Sequence, residues 1–77
     1  MISESRLVPQ FLQLHPTVEG YTLIRVCEEI NRITKAGVGV HGILERALAR
    51  PVAADYLVRV CERFQAQQKV DNQLRLR

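Results

Sequence analysis

The sequence predicts an all-α fold, a small bundle of about four helices arranged as two consecutive antiparallel helical hairpins. Apolar residues recur at intervals of three and four along most of the chain, which is the period of an amphipathic helix. Prolines and glycines separate these periodic segments. The connections at His15-Pro16 and Arg50-Pro51 are short, so consecutive helices must lie side by side. A chain of 77 residues holds one small domain of this kind.

The first two predicted helices lie on either side of Pro16. The first covers residues 5 to about 14, with Pro9 close enough to its first turn to be tolerated. The second covers residues 17 to 34, with Thr17 as its N-cap. It has the clearest pattern in the chain, because charged residues lie opposite an apolar stripe. That stripe consists of Leu23, Val26, Ile30 and Ile33.

The last two predicted helices lie on either side of Pro51. Three glycines between residues 37 and 42 disfavour a helix, so residues 35–42 are predicted to form a loop. A short third helix follows over residues 43–49, and it ends at Arg50 because the residue before a proline avoids helical geometry. Pro51 suits the first turn of a fourth helix that continues to about Gln68. The stripe of this helix consists of Ala53, Tyr56, Leu57, Val60 and Phe64.

The sequence divides into one helical domain and a tail. Residues 1–68 form the predicted helical domain, and residues 69–77 form a polar, basic C-terminal tail. Leu74 alternates with polar neighbours in this tail. The sequence therefore leaves two alternatives for the tail, a short β-strand and a disordered end.

Two segments of the sequence resemble each other at an offset of 34 residues. Residues 23–28, with the sequence LIRVCE, match residues 57–62, with the sequence LVRVCE. Each segment is preceded by a short apolar helix, so the chain reads as two helical hairpins in tandem. The match fits either an internal duplication or two similar amphipathic helices that arose independently, since helical patterning alone produces such matches.

The charge distribution favours a mixed, solvated surface. The net charge is +3, but residues 1–17, 18–36 and 51–68 each sum to zero. A surface for phosphates usually shows a block or stripe of lysine and arginine, and these segments have neither. Nine arginines against two lysines are typical of GC-rich bacterial and phage genomes.

Cys27 and Cys61 are predicted to be reduced thiols in the core, with a disulfide or redox role as the alternative. The two cysteines and two histidines follow one another as His15, Cys27, His41 and Cys61. This order lacks the closely spaced ligand pairs of a zinc site, so we expect no bound metal.

The sequence carries no signal of catalysis. It has no nucleophile placed beside a base, no phosphate-binding glycine loop and no cofactor motif. We therefore expect a protein that is not an enzyme and holds no cofactor. No apolar run is long enough to span a bilayer and the N-terminus lacks the pattern of a signal peptide, so a cytoplasmic protein without membrane contact is predicted.

The second and fourth helices are apolar over about half of their circumference. Ile24 lies beyond Cys27 at the side of one stripe, and Val58 lies beyond Cys61 at the side of the other. Short first and third helices cannot cover so much surface, so these four residues are the predicted protein-binding residues. The alternative is that Ile24 and Val58 are isolated surface residues. The predicted function is a small regulatory or adaptor protein of bacterial or phage type that binds another protein or forms a homodimer.

DNA binding is the alternative function. The second helix, the glycine-containing turn and the third helix fit a helix-turn-helix poorly, because the extra glycines shorten the recognition helix. A small transcriptional regulator with a degenerate motif would contact DNA through basic residues of the third helix and the tail. These residues are Arg46, Arg50, Lys69, Arg75 and Arg77.

Overall fold

The computed structural model describes residues 6–75, which form four α-helices and no strand. Helix α1 comprises Leu7–Leu14, α2 Gly20–Thr34, α3 Gly39–Ala49 and α4 Pro51–Arg75. The predicted all-α bundle is confirmed. Among these residues no helix is both long enough and apolar enough to cross a membrane.

Helices α2 and α4 form the centre of the bundle and run antiparallel. Thr17, just before α2, bonds Glu62 of α4, whereas Ile30 near the other end of α2 lies beside Tyr56. Helix α3 packs against each of the other helices, and α1 packs against α2 and α3 but not against α4. The side chains that are completely buried between them are Phe11, Leu23, Cys27, Leu44 and Cys61.

Polar contacts from α4 hold the connection between α1 and α2. The Gln65 amide donates to the Thr17 carbonyl over 3.0 Å and accepts from the Glu19 backbone N–H over 2.7 Å. The prediction that Thr17 caps α2 is wrong, because the helix begins at Gly20 with Glu19 in the N-cap position. The Thr17 hydroxyl instead donates to Glu62 over 2.6 Å. Thr17 therefore forms a hydrogen bond with the distant helix α4 and not the predicted N-cap of α2.

The connection between α2 and α3 is shorter than the sequence predicts. Lys35 adopts the left-handed conformation that ends α2, with a φ of 55°. The Asn31 side-chain oxygen then accepts hydrogen bonds from the backbone N–H groups of Val38 and Gly39, at 3.0 and 3.1 Å. This cap lets α3 begin at Gly39, and the expectation of a loop as far as residue 42 is wrong. Gly42 is needed in the first turn of α3, since a Cβ there would lie 2.3 Å from that of Val38.

Helix α4 is longer than predicted, because it continues past Gln68 to Arg75. No glycine or proline follows Pro51, and residues 65–75 are mostly good helix formers. A helix of this length spans about 38 Å. The molecule is correspondingly elongated, with principal dimensions of 41 × 24 × 23 Å. Residues 66–74 are all exposed, so the last turns of α4 project beyond the bundle.

Candidate protein-binding face

An open groove of about 640 Å³ lies between the outer sides of α2 and α4. Its floor is apolar, formed by Ile30 and Val60, and its ends carry the rings of Tyr56 and Phe64. Charged side chains of α2 line the other edge. Helix α4 carries two neighbouring rows of apolar residues. One row is buried in the core, and the other lines the groove.

The aromatic residues are concentrated on this side of the molecule. Of the four aromatic residues in the chain, Phe11 alone is in the core. Tyr21 is 69% exposed, Tyr56 62% and Phe64 39%. Ile33, close to Tyr56 at the end of α2, is 65% exposed.

One arginine links two of these rings. The Arg25 guanidinium carbon lies 5.7 Å from the centre of the Tyr21 ring and 5.9 Å from that of Phe64. Both distances are within the range of a cation–π interaction. Arg25 also donates a hydrogen bond of 3.4 Å to the Tyr21 hydroxyl. Tyr21, Arg25, Ile33, Tyr56 and Phe64 are called the aromatic face below.

Charged residues around the aromatic face neutralise one another. Arg32 donates to the carboxylate of Glu29 on α2, and Arg59 bonds Asp55 on α4 at 3.1 Å. The hydrogen bond from Arg32 lowers the pKa of Glu29. The face therefore combines an uncovered apolar centre with a charged rim that includes two ion pairs.

The sequence-predicted protein-binding residues do not form this face. Cys27 and Cys61 are completely buried, so a partner at the surface would contact neither thiol. Val58 is half-buried and packs against the core. Ile24 is also half-buried, and it lies about 100° around α2 from Arg25.

Both cysteines are free thiols, and they lie close enough to interact electrostatically. Burial, together with the neighbouring Cys61, raises the pKa of the Cys27 thiol to about 12. Burial also raises the pKa of the Cys61 thiol, to about 11. Because the thiolate is the reactive form, neither group is prepared for nucleophilic or redox chemistry at neutral pH.

Among the candidate DNA-binding residues, Arg46 and Arg50 lie far from Lys69. Arg46 and Arg50 are exposed beside the start of α4. Lys69 is eighteen residues farther along that helix, about 27 Å away. Arg75 is the last residue of α4, and Arg77 lies outside the described residues. The fold therefore does not bring Arg46 and Arg50 into one patch with Lys69.

Residues 6–75 contain no group of three histidine, cysteine, aspartate or glutamate side chains that could hold a metal ion. The histidines do not approach the cysteines as a set of ligands. His15 stacks on Phe11, with 4.6 Å between ring centres, and His41 lies in the first turn of α3.

The sequence prediction assigned Tyr56, Phe64 and Ile33 to core stripes, and this assignment is wrong. The buried residues of α4 are Ala54, Leu57 and Cys61, of which only Leu57 belongs to the predicted stripe. Their spacing of three and four is equally helical, so periodicity alone did not distinguish the two rows.

In comparisons with family models, curated proteins and solved structures, none matched the chain.

Proposed function

We propose that this chain is a non-catalytic regulatory or adaptor protein of bacterial or phage type that acts in the cytoplasm by binding another protein through the aromatic face. The observation that carries the proposal is the exposure of three of the four aromatic residues on one side of a very small domain. Such a domain has little apolar material to form its core. Leaving these rings in water loses stability that their burial would supply.

The chemistry of the face favours a protein partner. Tyrosine and arginine are enriched among the residues that contribute most to protein–protein affinity. Arg25, between two rings, would lose its water on binding while keeping its cation–π contacts. An apolar centre surrounded by polar and charged residues is also the usual anatomy of such an interface.

DNA binding is less well supported by the arrangement of charges. A DNA-binding surface needs cations placed to contact successive phosphates. Arg59, on the rim of the face, is paired with Asp55, and Arg32 is paired with Glu29. Arg46 and Lys69 lie near opposite ends of α4. We therefore do not propose DNA binding, and the experiment below includes it as a result that would contradict our proposal.

The proposal is tested by comparing the cellular proteins that bind the wild type with those that bind variants in which one exposed side chain is changed. Tyr56→Glu places a charge at one end of the groove, beside Ile33, and Tyr56 is exposed enough for the change not to disturb the core. Leu14→Glu is a matched control, because Leu14 is also 62% exposed but lies on α1, which makes no contact with α4. Tagged wild type and both variants are incubated with lysate of the source cell, and the retained proteins are identified by mass spectrometry.

We expect a protein, either foreign or a second copy of the chain, to be retained by the wild type and the Leu14→Glu variant and reduced at least tenfold with Tyr56→Glu. Circular dichroism verifies that both variants are folded. Equal retention by all three would contradict the proposal. Salt-sensitive, sub-micromolar binding to duplex DNA, together with no face-dependent protein, would replace it with the alternative.

A further inference from the structure

A second pattern extends the aromatic face along the whole of α4. Residues at alternating intervals of four and three begin within the face and continue into the projecting end of the helix. They are Tyr56, Val60, Arg63, Gln67, Val70 and Leu74. A repeat of 3.5 residues is the spacing at which one helix packs along another. We call these six residues the α4 seam.

The two halves of the α4 seam differ in their surroundings. At its N-terminal half, Tyr56 and Val60 line the groove beside α2. At its C-terminal half, Val70 is 50% and Leu74 65% exposed, and no other helix lies beside them. The chain thus contains both an empty groove that would accept a helix and a helical segment without a neighbour. Recognition of an amphipathic helix by an apolar groove is a common mode of protein binding.

The order of residues in the α4 seam is symmetric about its middle. Two apolar residues, two polar residues and two apolar residues follow one another. In an antiparallel pair centred near Gln65, Tyr56 faces Leu74 of a second copy and Val60 faces Val70 of that copy. Arg63 then faces Gln67. A parallel pair in register would instead set the two Arg63 side chains against each other, which like charges disfavour.

We propose that the occupant of the groove is the C-terminal half of α4 from a second copy of this chain, and that the two copies exchange these segments reciprocally in an antiparallel homodimer. The inference rests on the proposed function, because it names the partner of the aromatic face. Leu74 of each copy covers Tyr56 and the adjacent Ile33 of the other. One symmetric contact thereby covers the apolar residues of both halves of the α4 seam.

The dimer is tested first by mass. Sedimentation velocity at tens of micromolar should give twice the mass of one chain for the wild type. Leu74→Glu and Tyr56→Glu should each give the mass of one chain. The two residues face each other across the proposed contact, so either substitution places a charge in it. Leu14→Glu should remain a dimer.

The direction of pairing is tested by single added cysteines. Tyr56→Cys and Leu74→Cys variants are oxidised separately and as an equimolar mixture, and the products are separated without reductant. The antiparallel arrangement predicts a crosslinked dimer in the mixture and none from either variant alone. Crosslinks within each variant alone would contradict it, and the buried Cys27 and Cys61 should not interfere.

Failure of the dimer differs from failure of the proposed function. A wild type with the mass of one chain up to 100 micromolar overturns the dimer. If such a monomer still retains a foreign protein that Tyr56→Glu releases, the proposed function stands. If it retains none, both proposals fall.

Discussion

Cys27 and Cys61 are buried residues that contribute packing to the core. Both side chains are completely buried, at equivalent positions of the two similar segments. The same match places Leu23 and Leu57 in the core and Arg25 and Arg59 at the surface. The resemblance between the segments is therefore also a resemblance in burial.

The raised pKa values of the thiols predict a loss of stability at alkaline pH. An unfolded chain ionises its thiols near pH 8.5, whereas the folded chain retains both protons until about pH 11. Thiol burial therefore lowers the free energy of unfolding as pH rises through this window, by at most about 1.4 kcal/mol per pH unit for each thiol. Below pH 8 the thiols contribute no pH dependence.

Urea denaturation of the wild type and Cys27→Ala at pH 7, 9, 10 and 11 checks this prediction. At pH 7 the variant should be less stable by about 1 kcal/mol, because it loses packing around the sulfur. Its decline with pH should be shallower than that of the wild type. An equally steep decline would show that other groups cause the alkaline instability.

At the scale of elements, α3 depends on a side chain of another helix. Val38 provides no side-chain cap for α3, and Asn31 of α2 supplies it through two hydrogen bonds. Because this cap is a contact between helices, no local pattern in the sequence predicts it. Gly39 has a φ of 69°, a left-handed conformation that favours glycine at this start of α3.

Replacing Asn31 with alanine should cost about 1 kcal/mol of stability, because two backbone N–H groups lose their acceptor. The control is Glu28→Ala, an exposed change on the same helix that should stay within about 0.5 kcal/mol of the wild type. Thermal unfolding followed by circular dichroism measures both. Equal stability of the two variants would contradict the assigned cap.

At the scale of the whole molecule, the sequence predicts the fold better than the binding surface. Helical periodicity and the prolines predict four helices, and the thiols are correctly predicted to lie in the core. The side of α4 that faces the core is not predictable in this way. Tyr56 and Leu57 are adjacent and both apolar, yet only Leu57 is buried. Which of them enters the core depends on where α2 and α3 lie.

The full length of α4 also could not be predicted from the apolar stripes in the sequence. Residues 66–74 are all exposed, so no burial within the chain marks where the helix ends. An isolated helix of that length is marginal in water. Its continuity with the packed part of α4, and in our proposal its docking on a second copy, stabilise it.

Photo-crosslinking from position 56 is the most direct test of the central claim that the aromatic face is the binding surface. Tyr56 is replaced by a benzophenone amino acid in the source cell, with the same replacement at Leu14 as the control. After irradiation, our account predicts a crosslinked protein from position 56 alone, which mass spectrometry identifies as a second copy or a foreign partner. No crosslinked protein from position 56, or the same product from both positions, would contradict the account.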